Sequence, residues 1–191
     1  MLGYSGRMTM SDEQLMLNFA GGDSRSFETL YARHKDPLFR YILRQVNRHQ
    51  ATAEEIFQEV WSSVIDTRER YTPLAKFTTF LYTLAHNRTM DHFRRQAVRL
   101  VDPVDCDTDS LEGYAVDPIR QVSAEDRVEL MQALVQKLPN DQRQVFVLRQ
   151  EGQHLVEEIA EIMASSLEAT KSRLRYAVNK LRAQLMQEDC L

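Results

Sequence analysis

Residues 70 to 95 read RYTPLAKFTTFLYTLAHNRTMDHFRR, a mixture of side chains suited to single-stranded nucleic acid. Tyr71, Phe77, Phe80, Tyr82 and Phe93 offer ring faces on which unpaired bases stack, while Arg70, Lys76, Arg88, Arg94 and Arg95 can follow a phosphate backbone. Thr78, Thr79, His86 and Asn87 add hydrogen-bonding groups between them. The aromatics admit a second account: Phe77, Leu81 and Leu84 recur at core spacing, so burial explains them equally well.

A second cluster lies near the C-terminus. HLVEEIAEIMASSLEATKSRLRYAVNKLRAQL has the spacing of a helix, a short turn and a second helix, with Ile159, Ile162 and Met163 set to face Leu167, Leu174, Val178 and Leu181. Ser166 is placed to cap the second helix. On a helical wheel Thr170 and Leu185 fall inward and Ser172 and Tyr176 outward; Lys171, Arg175 and Arg182 take one flank, Arg173 and Lys180 the other. Basic flanks with a hydrogen-bonding crest match a major groove, where phosphates form the walls and base edges the floor. Any amphipathic helix has a solvated polar face, but here Glu168 is the single acid between Ser166 and Met186. The turn carries Ala164 and Ser165, where a positive φ would favour glycine.

A third segment, TAEEIFQEVWSSVID, turns Ile56, Phe57, Val60, Trp61 and Val64 to a core and leaves Glu55, Gln58, Glu59, Ser62 and Asp66 outside. Glu55 and Glu59 repel each other modestly across one helical turn, a cost that a basic protein partner would remove and that solvent also tolerates. Chemistry of the enzymatic kind has no visible apparatus. There is no Gly-rich phosphate loop, no HExxH and no serine or cysteine nucleophile with a histidine and an acid beside it. Cys106 and Cys190 show neither CxxC spacing nor a histidine cluster, so no metal, cofactor or disulfide is expected.

Positioning these clusters falls to helices. The 191 residues hold 43% hydrophobic side chains and only 6 Gly and 5 Pro, apolar residues recur at three and four, and strand signals are missing. Ser11 and Gln14 have capping-box spacing and open a first helix ending near Gly21 and Gly22. One or two helices are expected from Ser24, with Pro37 as a possible kink, then one from about Ala53 to Glu69 and one from near Lys76 to about Arg95. Residues 97 to 123 change character: Asp102, Asp105, Asp107, Asp109 and Asp117 with Pro103 and Pro118 read as a flexible acidic linker. Beyond it come a helix through Val128 to Leu138 stopped by Pro139, one capped by Asn140, and the pair Leu155 to Met163 and Leu167 to about Met186. The fold class is therefore all-α, two small helical domains (1–96 and 124–191) on a tether. The net charge of −4 argues against an unselective polycation. Without a long apolar run, or a basic segment leading into one near the start, the expected location is cytoplasmic.

Together these residues resemble the extracytoplasmic-function (group IV) sigma factors of bacterial RNA polymerase. TAEEIFQEVW is similar to that family's core-binding segment, RYTPLAKFTTFLYTLAHNRTMDHFRR to its promoter-melting segment, and LPNDQRQVFVLRQEGQHLVEEIAEIMASSLEATKSRLRYAVNKLR to its C-terminal helix-turn-helix, in the family's order. The resemblance implies that residues 1–96 are sigma region 2 and 124–191 sigma region 4, with core RNA polymerase (beta-prime clamp helices and beta flap) and promoter DNA as partners and an anti-sigma factor as a plausible third. It assigns core binding to Glu54, Glu55, Gln58 and Glu59. Minus-10 recognition and opening fall to Tyr71, Lys76, Phe77, Thr79, Asn87, Arg88, Arg94 and Arg95, with a flipped base captured in the loop Tyr71 to Phe77. Minus-35 recognition falls to Ser166, Lys171, Ser172, Arg173, Arg175 and Tyr176. The acidic linker would thread toward the RNA exit path. Two departures stand out: Thr52 replaces the first acid of the core-binding pattern, where phosphorylation would restore negative charge, and Phe80 replaces a tryptophan.

Overall fold

The computed structural model describes residues 10–99 and 124–188, and among them every regular element is helical. The N-terminal unit comprises α1 (Asp12–Ala20), α2 (Ser24–Gln45), α3 (Gln50–Thr67), a 3-10 turn (Arg68–Arg70) and α4 (Phe77–Arg99). The C-terminal unit comprises α5 (Ala124–Gln136), α6 (Asn140–Glu151), α7 (Val156–Ile162) and α8 (Leu167–Glu188).

Local chemistry explains most boundaries. Ser11 caps α1 by accepting from the Gln14 N–H at 3.2 Å, whereas the Gln14 side chain bonds Asn18, so only half of the expected capping box forms. Gly22 takes φ +101°, a conformation open to glycine, and Asp23 then caps α2 through the Arg25 N–H. Helix α2 runs unbroken through Pro37. Helix α3 begins at Gln50 rather than Ala53, because His49 acts as its cap: Nδ1 accepts from the Thr52 N–H at 3.2 Å. Asn140 is not the cap expected for α6. The helix starts after Pro139, and the Asn140 amide oxygen instead accepts from Arg143. Helix α4 continues to Arg99, three residues into the segment read as linker; the rest of that acidic strip lies outside the described residues.

In the N-terminal unit Leu30, Leu38, Tyr41, Ile42, Ile56, Val60, Val64, Phe77 and Leu81 are buried, as is Trp61, whose ring contacts those of Phe27, Tyr31 and Phe57. Val145, Leu148, Ile159, Ile162, Ala177 and Leu181 form the smaller core of the other unit. Burial of this kind contributes about 25 cal/mol per Å² of apolar surface and outweighs the weak helix propensity of the β-branched residues.

The two units are docked. Helix α6 lies against α2, and α7 against α4. Arg44 and Arg40 both form ion pairs with Glu151, at 2.8 and 3.2 Å, and the Gln136 side chain donates to the Arg44 carbonyl. Arg143 is buried at this seam, donating to the side-chain oxygens of Asn47, Gln136 and Asn140; loss of solvent holds its guanidinium below the ordinary arginine range. His154 is 1% exposed, its ring edge-on to Tyr82 at 4.6 Å between centroids. Gly152 is required beside it, since a Cβ there would overlap the His154 ring. The tethered pair expected from the sequence is therefore a closed pair in this structure.

Candidate nucleic-acid interface

The loop between the 3-10 turn and α4 runs from Tyr71 to Lys76. Leu74 at its tip is 91% exposed, the most exposed large apolar side chain among the described residues. Tyr71 is half-buried against Phe77 and Phe80, and burial followed by the nearby charges of Glu13 and Asp12 pushes its phenol up to about 12. Lys76 reaches across to the other unit, its ammonium 2.6 Å from Glu158 of α7, a contact that raises its pKa. Burial alone would raise Glu158, but Lys76 and the Leu155 N–H outweigh it and hold the carboxyl below its ordinary value.

Along α4 the expected contacts separate into two sets. Asn87, Arg94 and Arg95 are exposed and lie on the solvent side of the helix. Arg88 is half-buried and donates to Ser63 of α3 at 2.9 Å, which fixes its stem beside Asn87. Arg94 pairs with Asp91, and Arg95 approaches Glu59 at 3.7 Å. Phe77 and Thr79 belong elsewhere. Phe77 is fully buried beneath His34, Tyr71 and Phe80, and Thr79 is 5% exposed, so neither side chain can meet DNA without unpacking the core. Their assignment as DNA contacts is corrected: they position the loop and helix that carry the exposed groups.

On α3, Glu54, Glu55 and Gln58 are exposed and Glu59 half-buried, giving an acidic strip that the docked C-terminal unit does not cover. Gln50 donates to Glu54 at 2.7 Å. Thr52 sits at the start of this strip with its hydroxyl 2.8 Å from His49 Nδ1.

In the C-terminal unit α7, a turn and α8 form the expected helix-turn-helix. Ala164 takes φ +47°, a left-handed conformation that glycine would adopt more easily, and Ser166 caps α8 through the Ala169 N–H. Thr170 is fully buried and bonds Ser165 across the turn, locking the angle between the helices. The inward face centres on Ala177 and Leu181, with Leu174 only partly buried. Lys171, Arg175 and Tyr176 are exposed, and the Arg175 guanidinium lies 5.5 Å from the Tyr176 ring centroid. Ser172 and Arg173 are half-buried. Arg173 reaches Asp141 of α6 at 3.2 Å, and Lys171 approaches Glu168. The structure thus places Lys171, Arg175 and Tyr176 together on the exposed side of α8, with Ser172 half-buried beside them, Arg173 turned toward α6 and Ser166 at the helix cap. The sequence reading missed Leu74, and also Glu13, Glu151 and Glu158, whose roles arise from contacts distant in the chain; only the exposed position of Leu74 next to Pro73 left a local signal.

Comparison with known proteins agrees with this geometry. Family models for Sigma-70 region 2 and Sigma-70, region 4 match residues 30–99 and 134–183. The chain is 32% identical to the RNA polymerase sigma factor CarQ of Myxococcus xanthus, over 89% of this chain and 95% of CarQ. It is 28% identical to the ECF RNA polymerase sigma factor SigW of Bacillus subtilis, over 86% and 91% of the two chains. Among solved structures the fold matches CnrH in complex with the cytosolic domain of CnrY (TM-score 0.69, 22% identity, 93% and 99% of the chains). It also matches the sigma factor RpoE with the anti-sigma factor NepR from Bartonella quintana (TM-score 0.70, 19% identity, 85% and 98%). The acidic strip of α3, the exposed side of α4 and the basic helix-turn-helix thus lie in a chain that belongs to the extracytoplasmic-function RNA polymerase sigma factors of the sigma-70 superfamily.

Proposed function

We propose that this chain is an alternative sigma factor that binds bacterial core RNA polymerase, directs it to particular promoters and helps to open the minus-10 DNA. The carrying observation is that three surfaces needed for this remain presented by one fold: Glu54, Glu55 and Gln58 on α3, Asn87, Arg94 and Arg95 on α4, and Lys171, Arg175 and Tyr176 on α8. The α3 strip meets a basic helical partner, the beta-prime clamp helices, while the beta flap receives the C-terminal unit. Arg88 and Arg95 orient and neutralise the opened strand along α4, and Asn87 supplies a base-reading amide. Tyr71, with its ring supported by Phe77 and Phe80, forms one wall of the loop that takes a flipped base, and Leu74 and Lys76 lie at the mouth of that loop. Ser166, with the α8 N-terminus, and Arg173 contact phosphates; Lys171, Ser172, Arg175 and Tyr176 face the minus-35 groove. Residues 1–96 and 124–191 act as regions 2 and 4. The chain performs no reaction itself and works in the cytoplasm beside the polymerase.

The docked form cannot serve both promoter elements at once. Elements about 25 base pairs apart are separated by roughly 85 Å of B-form duplex at 3.4 Å per step, yet Lys76 and Glu158 touch. Promoter engagement therefore includes separation of the units, and an anti-sigma factor that binds the docked form would hold the protein inactive. Footprinting with and without core polymerase tests the reading. Protection of both elements is expected only with core; sequence-specific protection of duplex by the free protein would point instead to a conventional helix-turn-helix regulator.

A further inference from the structure

Helix α4 begins without a local cap. The residue before it is Lys76, whose carbonyl accepts from the Phe80 N–H but whose ammonium side chain cannot accept from the first-turn N–H groups. The missing acceptor comes from the other end of the domain: Glu13 of α1 receives the Phe77 N–H at 2.8 Å across 64 residues of sequence. That bond, the largest influence on Glu13, holds its carboxyl below the ordinary value. A carboxylate at a helix N-terminus also interacts favourably with the helix dipole.

The geometry around Glu13 makes the bond an anchor. Its neighbour Asp12 ties α1 to α2, accepting from Arg33 at 2.6 Å and lying 2.7 Å from His34 Nε2; the His34 ring in turn covers Phe77. Leu15 and Met16 fix the inner face of α1 in the core. Glu13 is therefore held on a rigid helix and reaches the point where the Tyr71–Lys76 loop ends and α4 starts. We propose that Glu13 is a positioning residue for promoter opening, fixing the joint between the base-capturing loop and the melting helix from outside region 2's recognised segments. This rests on the sigma-factor reading, since only that reading gives the loop its task. A group that holds one backbone N–H in register acts on the loop's preorganisation and not on the α3 strip, which is remote from it in the chain and built on another helix.

Two variants and two readouts test it. In the free protein, with neither DNA nor polymerase, Glu13→Ala is expected to accelerate hydrogen exchange at the Phe77 amide about tenfold, as the loss of one charge-assisted hydrogen bond implies, with exchange in α3 unchanged. Glu13→Gln keeps a neutral acceptor and is expected to recover most of the protection. In transcription complexes, 2-aminopurine fluorescence at the minus-10 element is expected to report opening at least fivefold slower for Glu13→Ala, at unchanged core affinity, with Glu13→Gln near wild type. Unchanged Phe77 exchange overturns the anchor. Normal opening, or a loss of core affinity equal to the loss of opening, overturns the positioning role. Failure of the wild-type protein to support any core-dependent opening would instead overturn the sigma-factor reading, with the exchange measurement still judging the anchor.

Discussion

Replacing Glu151 with alanine is expected to open the docked pair about tenfold. Glu151 has only 13% of its side chain exposed; it accepts a hydrogen bond from Arg40 of α2 at 3.2 Å and forms an ion pair with the Arg44 guanidinium of the same helix at 2.8 Å. Arg44 is 30% exposed, so its ion pair falls between a solvent-screened surface pair and a buried one; Arg40 is 54% exposed and adds little. A contribution of about 1.5 kcal/mol to docking follows, close to the 1.4 kcal/mol that changes an equilibrium tenfold. The arginines regain water on opening, so the variant leaves no buried unpaired charge in the separated state. The assay is single-molecule energy transfer between dyes at Ser62→Cys on α3 and Arg182→Cys on α8, with Cys106 and Cys190 replaced by serine. The low-transfer population should grow about tenfold relative to the high-transfer one, and raising salt should move the wild type in the same direction. An unchanged distribution, or opening by salt with no effect of the substitution, would refute the latch role of Glu151.

Further expectations follow from other contacts. His154 and His86 are both held below the ordinary histidine value by burial, against the pull of Glu158 on the first and Asp141 on the second. The docked form therefore binds fewer protons than a separated one, docking is fully present above about pH 6.5, and acid should open the pair progressively as pH falls below that value toward the lower values of the docked form; the same dye pair read from pH 8 to 5.5 checks the sign. Ala164→Gly should raise urea stability of the C-terminal unit by about 1 kcal/mol, because the φ of +47° strains alanine and suits glycine. Phe77→Ala should cost about 3–5 kcal/mol of stability by emptying a fully buried site, whereas Asn87→Ala should leave urea unfolding unchanged and slow promoter opening; the reverse pattern would restore Phe77 as a DNA contact.

Much of this architecture is legible in the chain. The 3.6-residue periodicity locates the α-helices seen among the described residues, leaving open only whether the segment from Ser24 is one helix or two, and the helix-turn-helix follows from Ser166 as cap and from Thr170 facing inward, both of which the structure reproduces. Whether Ala164 or Ser165 takes a positive φ in that turn stayed open in the sequence, and the structure gives it to Ala164. What periodicity could not decide is which aromatics of the 70–95 segment are buried. Phe77 and Phe80 have the same type and nearly the same surroundings in sequence, yet only Phe77 is covered fully, because α1 and α2 bring Glu13 and His34 over it. Docking was equally hidden: Glu151 and Glu158 read as ordinary polar-face residues until the tertiary fold places Arg44 and Lys76 opposite them. Thr79 was misassigned for a related reason, since threonine is as compatible with a buried helix face as with a DNA-facing one.

The central claim is that this chain lends promoter specificity to core polymerase through two separate DNA-reading faces. Run-off transcription from a genomic promoter library with purified core polymerase, with and without the protein, tests it most directly when wild type is run beside Lys171→Ala with Arg175→Ala. Initiation at a discrete set of promoters that depends on the protein, and loss of minus-35 dependence in the double variant, is the expected result. No protein-dependent initiation, with specific duplex binding retained in the absence of polymerase, would contradict the account.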